Sequence, residues 1–148
     1  MKKIGLFGVI ALVLVIVGAI MTAGKMGETS VAHARGKVVL SDAVKEAAVG
    51  ANTLFVIVSG VESPMPYAAM RITLSGNLHG ELDDFVLTNE RVQRMRPEEP
   101  WPAEFKLKAR LDRDGTAGPD QPGDLVGEIA VVKDGSENLV LTIDRVIQ

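Results

Sequence analysis

Nine residues, Glu104–Asp112, alternate without a break: Phe105, Leu107, Ala109 and Leu111 on one side, Lys106, Lys108 and Arg110 on the other. A period of two suits a pleated strand with one buried face, and it cannot give a helix a continuous apolar stripe. The same grain recurs in short runs cut by turn residues. Residues 36–41 predict a strand, and "DAVKEAA" a helical turn or two behind Ser41 or Asp42 as N-cap. "NTLFVIVS", 52–59, is β-branched and aromatic almost throughout, as a central strand buried on both faces should be. Two prolines, Pro64 and Pro66, then break the pattern, since neither can donate to a ladder.

Further strands are expected over 67–76, 80–88, 124–132 and 138–147, with a bulge near Asp83-Asp84 to bring Leu82 onto the face of Phe85 and Leu87. Asp134-Gly135 between the last two is a hairpin signal. The stretch 89–103, rich in proline and holding the single tryptophan, Trp101, is expected to be irregular. About seven short strands with little helix and no βαβ alternation predict a mainly β fold. The expected form is an antiparallel β-sandwich of Greek-key or immunoglobulin-like type.

Ahead of this domain lies a segment of another kind. Between Ile4 and Ala23 no residue is charged, and Lys2 and Lys3 precede the run. Roughly 20 apolar residues cross a bilayer as a helix, and the leading lysines predict a cytoplasmic N-terminus. The organisation expected is therefore an anchor at 1–23, a linker at 24–36 and an exported domain at 37–148, held at a bacterial inner membrane and facing the periplasm. A cleaved leader is the rival reading, with Ala32-His33-Ala34 as its small-x-small exit before Arg35.

From Gly36 onward there are 18 acidic and 12 basic side chains, a net of -6. That charge opposes nucleic acid and anionic lipid headgroups, and neither is expected as a partner. The chain has no cysteine, so disulfides, C-x-x-C redox chemistry, haem attachment through C-x-x-C-H and blue-copper ligation are excluded. No G-x-S-x-G elbow accompanies the two histidines, His33 in the linker and His79 in a turn, and no enzyme activity is expected.

The aspartate-rich stretch "LDRDGTAGPDQPGDLVG", 111–127, raises a calcium reading through Asp112, Asp114, Asp120 and Asp124. Counted from Asp112, however, position six is Ala117 and position twelve is Gly123, where an EF-hand needs glycine and glutamate. No metal or cofactor is expected, and a stiff connection between strands is the plainer reading.

Specific residues also carry a resemblance. "TLFVIVSGVESPMPYAAMRI", from 53 to 72, is similar to the T-x-F-V-x-A-R-x-x-x-G-P-x-M-P-L-A-V-x-R segment of a bacterial family. That family is the periplasmic C-terminal domain of the cytochrome c maturation protein CcmI, or CycH. "ARLDRDGTAGPDQPGDLVGE" resembles its A-R-x-S-x-S-G-x-A-x-P-Q-P-G-D-L-x-G pattern, and "LTIDRVI" its V-x-I-D-x-V finish. The resemblance implies a β-sandwich accessory domain in c-type cytochrome biogenesis, acting by protein–protein interaction with apocytochrome or the haem-lyase machinery. By position it assigns Pro64, Met65, Pro66 and Arg71 to one motif and Ala117, Gln121, Pro122, Gly123 and Asp124 to the other, as partner-binding candidates and not catalytic ones. The chain departs from the family in lacking tetratricopeptide repeats and a second membrane helix, and at "RVQRMRPEEPWP". Two alternatives stay open: a structural subunit of a membrane respiratory complex, and a calcium-dependent adhesion or carbohydrate-binding sandwich.

Overall fold

The computed structural model describes residues 31–148, so the expected anchor at 1–23 and residues 24–30 of the expected linker lie outside the described residues. No helix among the described residues is long and apolar enough to cross a membrane. The domain is mainly β, 51% strand and 6% helix. Nine strands follow one another: β1 (Ala34–Leu40), β2 (Thr53–Ser59), β3 (Pro66–Thr73), β4 (Gly80–Leu87), β5 (Gln93–Arg94), β6 (Glu104–Asp112), β7 (Leu125–Lys133), β8 (Ser136–Ile143) and β9 (Arg145–Val146). The expected helical turns are a 3-10 helix, Asp42–Ala48, whose Ala43 N–H is capped by the Ser41 hydroxyl.

The strands form a small sheet in the order β4-β1-β8 and a larger one in the order β5-β3-β2-β6-β7-β9. All pairings are antiparallel except β1 with β8, which run parallel. This departs from the wholly antiparallel expectation, because the first long strand and the last one meet side by side. One core takes side chains from both sheets: Val38, Phe85 and Leu141 from the small one, Leu54, Val56 and Leu107 from the larger. β2 sits in the middle of the larger sheet between β3 and β6, which explains its unbroken apolar run. Leu54, Val56 and Val58 are fully buried, each worth roughly 1.5–3 kcal/mol relative to exposure.

Three expectations are corrected. β1 begins at Ala34, so the last residues assigned to the linker belong to a strand. The bulge expected near Asp83-Asp84 is present, at Leu82, where the register steps from Val38 opposite Asp83 to Val39 opposite Glu81. Gln93 and Arg94, in the stretch expected to be irregular, add a two-residue edge strand to β3. The strand expected over 138–147 is two strands, β8 in the small sheet and β9 in the larger, with the change of sheet at Asp144.

Gly127 makes that change of sheet possible. A Cβ there would lie 1.7 Å from the Thr142 carbonyl oxygen, so only glycine lets β7 and the departing chain come together. Asp134-Gly135 does form a turn, with Gly135 at φ 87°, but its strands go to different sheets. Its amides bond elsewhere, Asp134 N–H to the Ala103 carbonyl at 2.9 Å and Gly135 N–H to that of His33 at 2.7 Å. The dipeptide is a corner between sheets and not the tip of a ladder hairpin.

Candidate functional site

Alternation places a second set of side chains on the outer face of the larger sheet. The register sets Arg71, Phe55 and Arg110 in one row across β3, β2 and β6, with Thr53 beside Asp112 and Ile57 beside Lys108 in the flanking rows. Charged residues alternating with apolar ones predict a wet face here, yet Arg110 is only 2% exposed and Phe55 and Val126 are buried too. The cover is the 113–124 loop, folded back across the sheet from the end of β6.

Arg110 holds that cover down. Its Nη1 donates to the Gly118 carbonyl at 2.5 Å and to Asp120 Oδ1 at 3.3 Å, and its Nη2 to the Thr116 carbonyl at 3.4 Å. Its Nε lies 3.7 Å from Asp112 Oδ2 and 4.0 Å from Asp124 Oδ2 without a hydrogen bond. The guanidinium carbon sits 4.9 Å from the centre of the Phe55 ring. A buried guanidinium is tolerable only with its charge matched and most donors used, and the loop supplies both. Lys108 adds a second cation on Asp120.

The aspartates also fold the loop locally. Asp112 Oδ1 accepts from the Asp114 N–H at 2.8 Å, Asp114 Oδ1 from Thr116 N–H at 2.9 Å, and Asp124 Oδ2 from Gln121 N–H at 2.8 Å. Burial pushes the Asp112 carboxyl above its ordinary range, helped by the neighbouring Asp114 carboxyl and opposed by the Asp114 N–H that it accepts. Asp114 is held below it, first by the Thr116 amide. Burial raises Asp120 as well, but hydrogen bonds and charge from Lys108 and Arg110 outweigh this and leave it low. Gly115 passes close to the sheet at φ 68°, where a Cβ would stand 3.0 Å from an Arg71 guanidinium nitrogen and 3.2 Å from Thr53 Oγ1.

The aspartates singled out for calcium are thus turned toward cations and amides of the protein itself. Among the described residues no group of three or more His, Asp or Glu is arranged so that it could hold a metal ion. His79 is exposed in a turn.

The two stretches carrying the family resemblance do meet. Pro64 and Pro66 share a groove of about 300 Å³ with Gly118 and Asp120, floored by Ile57 and bordered by Lys106. Met65 stands 62% exposed between the two prolines. Arg71, on the same face, approaches the loop at Gly115. Gln121, Pro122, Gly123 and Asp124 border a separate hollow of about 180 Å³ with Asp112 and Asp114. Gln121, Pro122 and Ala117 are exposed, whereas Asp124 is buried and structural. Gly123 and Asp124 also bind the C-terminal segment, through Gly123 N–H to the Ile147 carbonyl at 2.9 Å and Ile147 N–H to that of Asp124 at 2.8 Å.

Sequence reasoning missed one cluster. The His33 ring stacks on Trp101, centroids 4.0 Å apart and 6° from parallel, and Trp101 meets Tyr67 and Phe105 edge-on. No spacing rule links His33 to a tryptophan 68 positions away; the one signal was an apolar-flanked histidine beside the start of the first strand. No family model, no curated protein and no solved structure matches the chain.

Proposed function

We propose that this chain is a membrane-anchored periplasmic β-sandwich of Greek-key, immunoglobulin-like type that binds protein partners in c-type cytochrome biogenesis, as a stand-alone relative of the CcmI/CycH C-terminal domain. The observation that supports it is that the two resembling stretches share one groove on one face, Pro64 and Pro66 from the first and Gly118 and Asp120 from the second. Segments far apart in the chain that both carry the resemblance and border one surface suit a common partner. The clamped loop favours binding, because a surface already ordered loses less freedom on association. The net charge of -6 from Gly36 onward suits a cationic partner such as an apocytochrome.

The test is a mild-detergent pull-down with the full chain, alongside a Met65→Asp, Gln121→Ala variant that alters only exposed positions. Capture of apocytochrome or haem-lyase components, lost in the variant, is the expected result. Normal holo-cytochrome levels after deletion of the gene would sink the assembly reading. Co-purification with an intact respiratory complex would replace it with a structural subunit.

A further inference from the structure

The Ala32-His33-Ala34 stretch reads in sequence as an exit site for a leader, yet in the structure it is the first clasp of the domain. Ala34 is fully buried in β1, opposite Leu87 on one side and Ser136 on the other. His33, 8% exposed, is held at four points. Its N–H donates to the Leu87 carbonyl at 2.8 Å, and its carbonyl accepts from Gly135 N–H at 2.7 Å. Its Nδ1 donates to Asp134 Oδ1 at 2.7 Å; a carboxylate only accepts, so this nitrogen carries the proton. Its ring covers one face of Trp101.

We infer that the chain is not cut after Ala34, and that the mature folded domain starts at or before Ala32. Leader removal acts on an extended chain, so burial of the bond in the folded state is not the obstacle; the product is. A chain starting at Arg35 lacks both backbone partners that His33 gives to Leu87 and Gly135, leaves the Asp134 carboxylate without its imidazole, and bares the Trp101 ring. It also puts a new ammonium group at Arg35, in the central strand of the small sheet. Buried amides and carbonyls without partners are what folded domains avoid. Whatever processing the upstream segment undergoes therefore falls before Ala32. This does not rest on the partner reading, which can fail while the boundary stands.

The test uses the full chain with a C-terminal tag, made in a bacterial host with a working export pathway. N-terminal sequencing and intact mass of the purified protein should give a start at or before Ala32; a protease-resistant product starting at Arg35 would overturn the inference. A second measurement exploits the single tryptophan. In full-length His33→Ala, Trp101 emission should shift to the red and the unfolding midpoint fall by roughly 5 °C or more. Failure of His33→Ala to fold, while His33→Phe keeps the stack and folds, carries the same meaning. Unchanged emission and midpoint would show that the clasp is dispensable and overturn the inference as well.

Discussion

On the larger sheet the outward-facing Phe55, Arg110 and Val126 lie under the 113–124 loop, whereas on the small sheet the outward face is bare. There a hollow of about 490 Å³ runs between Val86 and Val140, and the charges meet only as surface pairs, Lys37 with Glu81 at 2.5 Å and Arg35 with Glu137 at 3.8 Å. Both faces carry alternating cations and apolar residues, so pattern alone does not distinguish them. What differs is water. Beneath the loop Arg110, Asp112 and Asp124 have lost their solvent and must be matched by the protein, while on the bare face solvent screens the pairs and they contribute little.

That contrast can be broken at its joint. Gly127→Ala sets a methyl against the Thr142 carbonyl where the chain passes from one sheet to the other, and should cost on the order of 4 kcal/mol in urea unfolding. Arg110→Met keeps bulk but leaves Asp112 and Asp124 buried without their cation; a loss of roughly 3–5 kcal/mol is expected, with new protease cleavage in the 113–124 loop. Should Arg110→Met prove silent, the loop is not held as described.

Smaller effects sharpen the picture by pH. The folded-state pKa of Asp120 is depressed, so its contribution is present above the ordinary carboxylate value and lost as pH falls below about 4. Asp120→Asn should cost about 1 kcal/mol or less at neutral pH and flatten the acid limb of the stability curve. Asp112 has the opposite sign: its raised pKa means that ionisation works against folding at neutral pH and is relieved as pH falls toward the upper carboxylate range. Asp112→Asn should therefore be no less stable than its parent at neutral pH, measured as an unfolding midpoint. On the bare face, Lys37→Ala should leave the midpoint unmoved, although Glu81 raises the lysine pKa. A cost there equal to that of Arg110→Met would erase the distinction between the faces.

Much of the architecture was legible because it rests on local alternation. Phe105, Leu107, Ala109 and Leu111 are all fully buried, as the period of two in β6 requires. The central place of β2 followed from its apolar run. What was not legible depends on distant partners. Arg110 reads as a solvent-facing cation until a loop six to fourteen positions further on returns to cover it. The change of sheet at Asp144 leaves no mark in a strand pattern; only Gly127, on another strand, records it. For the same reason the aspartates of the loop resembled donors for an ion, since their real counter-charge lies on the sheet beneath.

The parallel pairing of β1 with β8 governs when the domain can fold. Val38 pairs with Leu141, so the small sheet closes only after nearly the whole chain has been made and brought back on itself. Closing so long a loop is slow and comes late, because the ordering cost precedes the contacts that reward it. A chain emerging N-terminus first, whether from a ribosome or through a membrane, should have only β4 to pair with β1, and the other edge of β1 stays open until β8 arrives. Pulsed hydrogen exchange on a chain stalled before Ser136 should find the β1 amides that face β8 open and those of β2, between its neighbours β3 and β6, already shielded.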